Sequence, residues 1–201
     1  MTFVLGLTGS IGMGKTTTAN LFREMGVAVH DADATVHALY RGSAVPLIEA
    51  AFPGVASEGI VDRAKLSAQV LGKPEAMARL ERLIHPLVRE AEGAFLARCR
   101  DTRVPVAVLD IPLLLETGHG RCDAVIVVTA PPEVQRARVL SRPAMTLERF
   151  EAILARQMPD AQKRRKAHFI VDTSRGLLSA RRQVRSILQA LAGRSGQNLS
   201  G

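Results

Sequence analysis

The chain is poor in aromatic residues: it has no Trp and one Tyr, and Phe, Tyr and Trp together make up 3% of it. Proteins that hold single-stranded nucleic acid stack the bases on interleaved aromatic rings, so this composition argues against that class. Cysteine is equally scarce. Cys99 and Cys122 are the only two; neither belongs to a metal-spaced pair, and both read as free thiols. No apolar run approaches the roughly eighteen residues that a membrane-spanning helix needs, and the apolar start runs directly into a Gly-rich stretch with Lys15 rather than into a signal-peptide pattern. A soluble, cytoplasmic protein is expected. Its 201 residues, 47% of them hydrophobic, suffice for one domain with a buried core, or one domain with a sizeable insertion.

Positive charge is plentiful but unevenly placed. Residues 136–185 hold eleven Arg and two Lys against four acids, which accounts for the whole net charge of +8. Such a concentration suits a phosphate-rich ligand or nucleic acid, the plain alternative being a solvated basic face.

The most informative stretch is GSIGMGKTT, Gly9 to Thr17. Gly9, Gly14, Lys15 and Thr16 fall on the phosphate-loop pattern of Gly, four residues, Gly, Lys, then Ser or Thr. Glycines let the backbone curl with its N–H groups turned inward, and a helix that starts there adds unpaired N–H groups and the positive end of its dipole. Gly9, Gly12, Met13, Gly14, Lys15, Thr16 and Thr17 are therefore expected to cradle a nucleotide's phosphates, with Lys15 reaching the β and γ groups. The Thr16 hydroxyl is suited to Mg²⁺, which takes few protein ligands. The alternative, a Gly-rich turn that only ends a strand, is opposed by context: Phe3 to Leu7 reads as a buried strand, and Thr17 to Met25 has helical spacing up to Gly26.

Val27 to Val29 reads as a second strand running into Asp31 and Asp33. At the carboxyl end of a parallel strand such acids stand where chemistry happens in nucleotide-binding α/β folds. They could equally cap a helix over about 34–40, and we expect one to cap and the other to work. From Val45 to about Arg100 the periodicity is helical, with Leu66, Val70, Met77, Leu80, Ile84, Leu87 and Phe95 forming an apolar stripe and little to suggest a strand. Pro86 is expected to end one helix and open another, leaving His85 at the junction, where a cap or core hydrogen-bond partner is the plain reading. Val104 to Leu109 is a buried strand ending in Asp110, a position from which a carboxylate can orient a metal ion or its water. A strand over 123–128, a helix from Pro132 to about Arg142, a Thr146-capped helix over 147–157, the basic run 163–166, a strand over 169–171 and a closing helix over 177–191 complete the pattern. The polar residues 193–201 are expected to be disordered.

Strands alternating with helices indicate an α/β fold with a mostly parallel sheet and helices on both faces. We expect a core of residues 1–44, 101–135 and 167–193, a helical substrate-binding insertion over about 45–100, an Arg-rich lid over about 136–166 and a flexible tail at 194–201.

From about Val4 to Leu191 the chain resembles the dephospho-coenzyme A kinase family. The likeness rests on LTGSIGMGKTT, on Asp31 to Asp33, on Val61 to Arg63 with Leu66, and on Leu80 and Glu81 followed by His85, Pro86 and Arg89. Asp110 to Glu116, and Gln135 with Arg138, Arg142 and Gln157, complete it. The resemblance implies a phosphate-loop kinase fold and transfer of phosphate from ATP, with Mg²⁺, to the 3′-hydroxyl of dephospho-coenzyme A. It implies that Asp33 is the general base, that Lys15 neutralises phosphate charge, and that Arg138 comes from the lid to the transferring group with Arg142 in support. It also implies that Thr16 and Asp110 serve the metal and that His85 and Arg89 belong to the acceptor's pocket. Three positions depart from the family pattern: His168 where it has Asp, Thr173 where it has Asn after the last strand, and Pro143 in the lid turn. A monomer is expected, with an oligomer left open, and neither nucleic acid nor membrane is an expected partner. Two competing readings remain: a kinase for a nucleoside or nucleotide, and a nucleotide-dependent switch or nucleic-acid-binding module that uses the basic region.

Overall fold

The computed structural model describes residues 1–118 and 121–192; the tail expected at 194–201 lies outside the described residues. In chain order the elements are β1 (Phe3–Thr8), α1 (Lys15–Glu24), β2 (Ala28–Asp31), α2 (Ala32–Leu39), α3 (Val45–Ala51), β3 (Ala56–Ser57), β4 (Ile60–Val61), α4 (Arg63–Val70) and α5 (Pro74–Asp101). Then follow β5 (Val106–Asp110), α6 (Leu114–Thr117), β6 (Ala124–Thr129), α7 (Pro132–Leu140), α8 (Leu147–Leu154), α9 (Asp160–Arg165), β7 (Phe169–Asp172) and α10 (Leu177–Leu191). They divide into two compact units, one of residues 1–30 with 98–192 and one of Asp31–Ala97.

The first unit is built on a five-stranded sheet in the order β2-β5-β1-β6-β7. β1 pairs in parallel with both β5 and β6, and β6 with β7. Every residue of β1 and β6 is buried. That is why both strands read as unbroken apolar runs: a parallel strand covered on two faces has no side to leave polar. Side chains alternate between those faces. Leu5, Leu7, Ala124, Ile126 and Val128 pack with Leu21 and Phe22 of α1 and with Val184, Ile187 and Leu191 of α10. Val125 and Val127 turn the other way, onto Leu114 and Leu115 of α6, with Met158 and Ala167 against them. The expected mostly parallel α/β sheet with helices on both faces is the fold observed.

The second unit gathers Ile48, Phe52, Val55, Val61, Leu66, Val70, Leu80 and Ile84 into a core of its own. It begins at Asp31, ahead of the insertion expected from residue 45. Two local expectations are corrected in it. First, 45–100 is not strand-free: β3 and β4 form a small antiparallel hairpin. Glu58 and Gly59 between them both have positive φ, the backbone of a tight two-residue hairpin turn. Glu49 holds the approach to the hairpin by accepting the N–H groups of Gly54 and Ala56 at 2.6 and 2.7 Å. Strands of two residues are too short to leave an alternating pattern in the sequence.

Second, Pro86 ends nothing: α5 is one helix of 28 residues with Pro86 inside it, so His85 is not at a junction. A proline there removes one N–H and crowds the carbonyl of residue 82, at a cost of about 3 kcal/mol in a bare helix. Leu80, Ile84, Leu87 and Val88 all pack on the same core, so the apolar stripe keeps its phase across the proline. Arg82 and Pro86 are exposed, and the freed carbonyl meets water instead of being stranded in the core.

Candidate active site

The turn between β1 and α1 is a phosphate loop in conformation as well as in sequence. Gly12 and Gly14 have φ of +77° and +92°, the left-handed region that side chains avoid. A Cβ on Gly12 would also lie 2.4 Å from Val139 Cγ2, and one on Gly14 would press on Thr173 at 3.1 Å. The loop is therefore closely backed. Its inner side is different: among the described residues the N–H groups of Gly12, Gly14, Lys15, Thr16 and Thr17 meet no acceptor. Three of these open α1, where the helix dipole is positive, so the cluster can take a polyphosphate.

Residues far along the chain hold the loop in this shape. Ile11 is gripped at both ends of its backbone, its carbonyl accepting from Gln135 Nε2 at 2.7 Å and its N–H donating to Gln157 Oε1 at 3.1 Å. The Met13 carbonyl accepts from the Thr173 hydroxyl at 2.8 Å, and the Met13 sulfur lies 3.1 Å from the Ala130 nitrogen. Gln135, Arg138 and Val139 approach the loop from one side of α7, as spacings of three and four in a helix allow. Gln157 was expected inside a helix. It lies beyond the end of α8, two residues before Pro159, and the non-helical backbone there turns its amide toward Ile11.

Lys15 Nζ stands 2.7 Å from Asp110 Oδ1, and the Asp110 side chain is 3% exposed. The register that sets Leu7 beside Asp110 brings the end of β5 to the mouth of the loop. Thr16 and Thr17 are exposed on the first turn of α1. Arg138 does not extend into solvent: Nη1 donates to Thr173 Oγ1 and Nη2 to the Thr173 carbonyl, each at 2.8 Å. Arg142, just past α7, is exposed. Gly9 to Thr17, Asp110, Arg138 and Arg142 thus share the first unit.

Asp33, His85 and Arg89 belong to the second unit. The two aspartates divide as the spacing suggested for one of them. Asp31 is the N-cap of α2, its carboxylate accepting the Ala34 N–H at 2.9 Å, and Asp33 is exposed in the first turn. His85 and Arg89 are exposed four residues apart on α5, on one face of the helix.

The basic region is not one solvated face. Lys163 is fully buried, with Nζ 2.9 Å from Glu116 Oε1. Burial pushes the Glu116 carboxyl up, but the Lys163 ammonium and the Met158 N–H outweigh it, and the group is held below the ordinary carboxylate range. Arg181 pairs with Glu24. Nothing in the spacing marks Lys163, which sits in a run of four basic residues while its partner lies on α6. His168 accepts the Val125 N–H through Nδ1 at 3.1 Å. Asp172 is lowered by the Ser174 hydroxyl and N–H beside it.

The sequence model of the dephospho-CoA kinase family matches residues 3–178. A dephospho-CoA kinase of Mesorhizobium japonicum is 61% identical over 96% of this chain and 98% of its own. Among solved structures, one from Thermus thermophilus is 33% identical, with a TM-score of 0.83 over 94% of this chain and 97% of that one. The dephospho-CoA kinase of Campylobacter jejuni is 26% identical, with a TM-score of 0.63 over 94% and 96%. With the phosphate loop, its buried supports and this full-length similarity, the chain belongs to the dephospho-CoA kinase family of phosphotransferases.

Proposed function

We propose that Lys15, Arg138 and Asp33 carry the chemistry of this kinase, on a phosphate platform formed by Gly9 to Thr17. The chain is a dephospho-CoA kinase, which uses ATP in the last step of coenzyme A biosynthesis. The single observation that carries the residue assignment is the cluster of N–H groups on Gly12, Gly14, Lys15, Thr16 and Thr17 that meet no acceptor among the described residues, with Lys15 held beside it by Asp110.

Phosphoryl transfer asks little covalent chemistry of a protein and much positioning and charge neutralisation. The loop N–H groups take the β and γ oxygens, and the Lys15 ammonium offsets charge that builds between them. Arg138 and Arg142 bring guanidinium groups to the transferring phosphoryl. Asp33 receives the proton of the acceptor's 3′-hydroxyl, and a carboxylate in that role orients the hydroxyl as much as it deprotonates it. His85 and Arg89 belong to the acceptor's pocket.

The oxygen donors present suit Mg²⁺, a hard cation that keeps several waters and binds one or two protein oxygens. Thr16 and Asp110 would hold it, and when bound it would screen charge on the phosphate oxygens. No helix among the described residues is long and apolar enough to cross a membrane, and all the groups invoked lie on one chain. We place the enzyme in the cytoplasm, acting as a monomer.

The test is mass spectrometry of dephospho-coenzyme A after incubation with the protein, ATP and Mg²⁺. One phosphate added at the 3′ position is the expected result. ADP formed with the acceptor unchanged would overturn the reading.

A further inference from the structure

Thr173, just beyond the last strand, is the most heavily bonded side chain around the loop. Its hydroxyl donates to the Met13 carbonyl and accepts from Arg138 Nη1, and its own carbonyl accepts from Arg138 Nη2, all at 2.8 Å. The residue is 7% exposed, and its methyl and hydroxyl both stand 3.1 Å from where a Cβ on Gly14 would be. The Thr173 N–H donates to the Thr129 carbonyl at 3.0 Å, which ties the residue to the end of β6.

A hydroxyl has one proton to give. Here it goes to Met13, so the oxygen is left with lone pairs for the guanidinium. Two parallel N–H donors on two acceptors of one residue fix the plane of an arginine as well as its position. An arginine free to rotate would lose side-chain entropy each time it met its ligand; one already held has lost it in folding.

We propose that Thr173 is a positioning residue for the phosphoryl-transfer reaction, holding Arg138 in a fixed orientation against Met13 and Gly14 of the phosphate loop. This rests on the role given above to Arg138. Thr173 touches no reacting atom in the proposal and acts only through the arginine it holds.

Thr173→Val removes the hydroxyl and keeps the shape, and Thr173→Ser keeps the hydroxyl. Loss of one hydrogen bond to a charged group predicts a fall in kcat/KM for ATP of about tenfold or more in Thr173→Val. Thr173→Ser should stay within about threefold of the parent. A cycle with Arg138→Ala then separates positioning from loop packing. If Thr173 acts through Arg138, Thr173→Val costs nothing further, within about twofold, once Arg138 is alanine. A loss that persists undiminished in the Arg138→Ala background would assign the hydroxyl to the Met13 carbonyl and overturn the proposal, as would a Thr173→Val enzyme with unchanged kinetics.

Thermal unfolding of each variant shows that the compared proteins are folded, and Thr173→Ala, which also removes the hydroxyl, carries the comparison if Thr173→Val is not. A parent protein that leaves dephospho-coenzyme A unmodified sinks the functional reading instead; the same cycle is then scored on ATP affinity. An Arg138→Ala enzyme with parental kinetics would remove Arg138 from the chemistry, and this proposal with it.

Discussion

Lys15 and Asp110 meet at 2.7 Å although 95 residues separate them in the chain. Asp110 is the last residue of β5 and Lys15 the first of α1, and the parallel pairing of β1 with β5 makes them neighbours. The ammonium is thereby held at the loop's mouth by a nearly buried carboxylate.

Lys15→Ala removes the one loop side chain able to reach the β and γ oxygens and leaves the N–H cradle intact. Turnover should fall at least about 100-fold, on the order of 3 kcal/mol of transition-state stabilisation, with the fold retained. Steady-state kinetics of the purified variant beside its circular dichroism spectrum check this, and near-parental turnover would remove Lys15 from the chemistry.

Asp33→Asn keeps the shape but removes charge and proton acceptor. Phosphorylation of dephospho-coenzyme A should drop by about two orders of magnitude or more, with ATP affinity within a few fold. Asp31→Asn is the control, because Asn caps a helix about as well as Asp, and the Asp31 carboxylate is engaged with the Ala34 N–H. Should Asp31→Asn abolish transfer while Asp33→Asn spares it, the two roles are reversed.

Gln135→Ala and Gln157→Ala each free one end of the Ile11 backbone. Each lost bond is worth about 1 kcal/mol, more where the partner left behind is buried. ATP should bind about fivefold or more weakly in either variant, measured by calorimetry. An unchanged ATP dissociation constant in the double variant would mean that the loop keeps its shape without them.

Glu116 and Lys163 give the chain an acid-sensitive element. Because the folded carboxyl is held below its ordinary range, the unfolded chain takes up its proton first as pH falls. The pair's contribution is therefore complete above about pH 4.3 and is lost below it, as pH drops through the folded value. Glu116→Gln should flatten that part of the pH–stability curve. At neutral pH it should destabilise the protein by about 3 kcal/mol, since a fully buried lysine loses its counter-charge. Urea unfolding of both proteins from pH 3 to 7 measures it, and parallel curves would exclude the pair as the source.

Much of this protein follows from local rules that operate along the sequence. The loop spacing from Gly9 to Thr16 needs only the properties of Gly, Lys and Thr, and it is followed by helix because the backbone itself supplies the anion site. β1, β5 and β6 were visible as apolar runs, since strands covered on both faces have no polar register to hide in. Asp31 announces a helix start by a chemistry that reaches three residues at most.

Other features depend on which surfaces meet, and that was decided only in three dimensions. Pro86 marks a break by every local rule, yet α5 runs through it because Ile84, Leu87 and Val88 all bury on one core. Lys163 has the look of a solvated charge; burial against Glu116, 47 residues away, makes it part of the interior. Arg138 was legible as one of a cluster of arginines, but its orientation was not, because the acceptors that fix it come from Thr173 beyond the last strand. Residue type and spacing determined the phosphate loop and the strands around it; contacts between distant segments, whose geometry no local pattern carries, decided how that loop and its arginine are held.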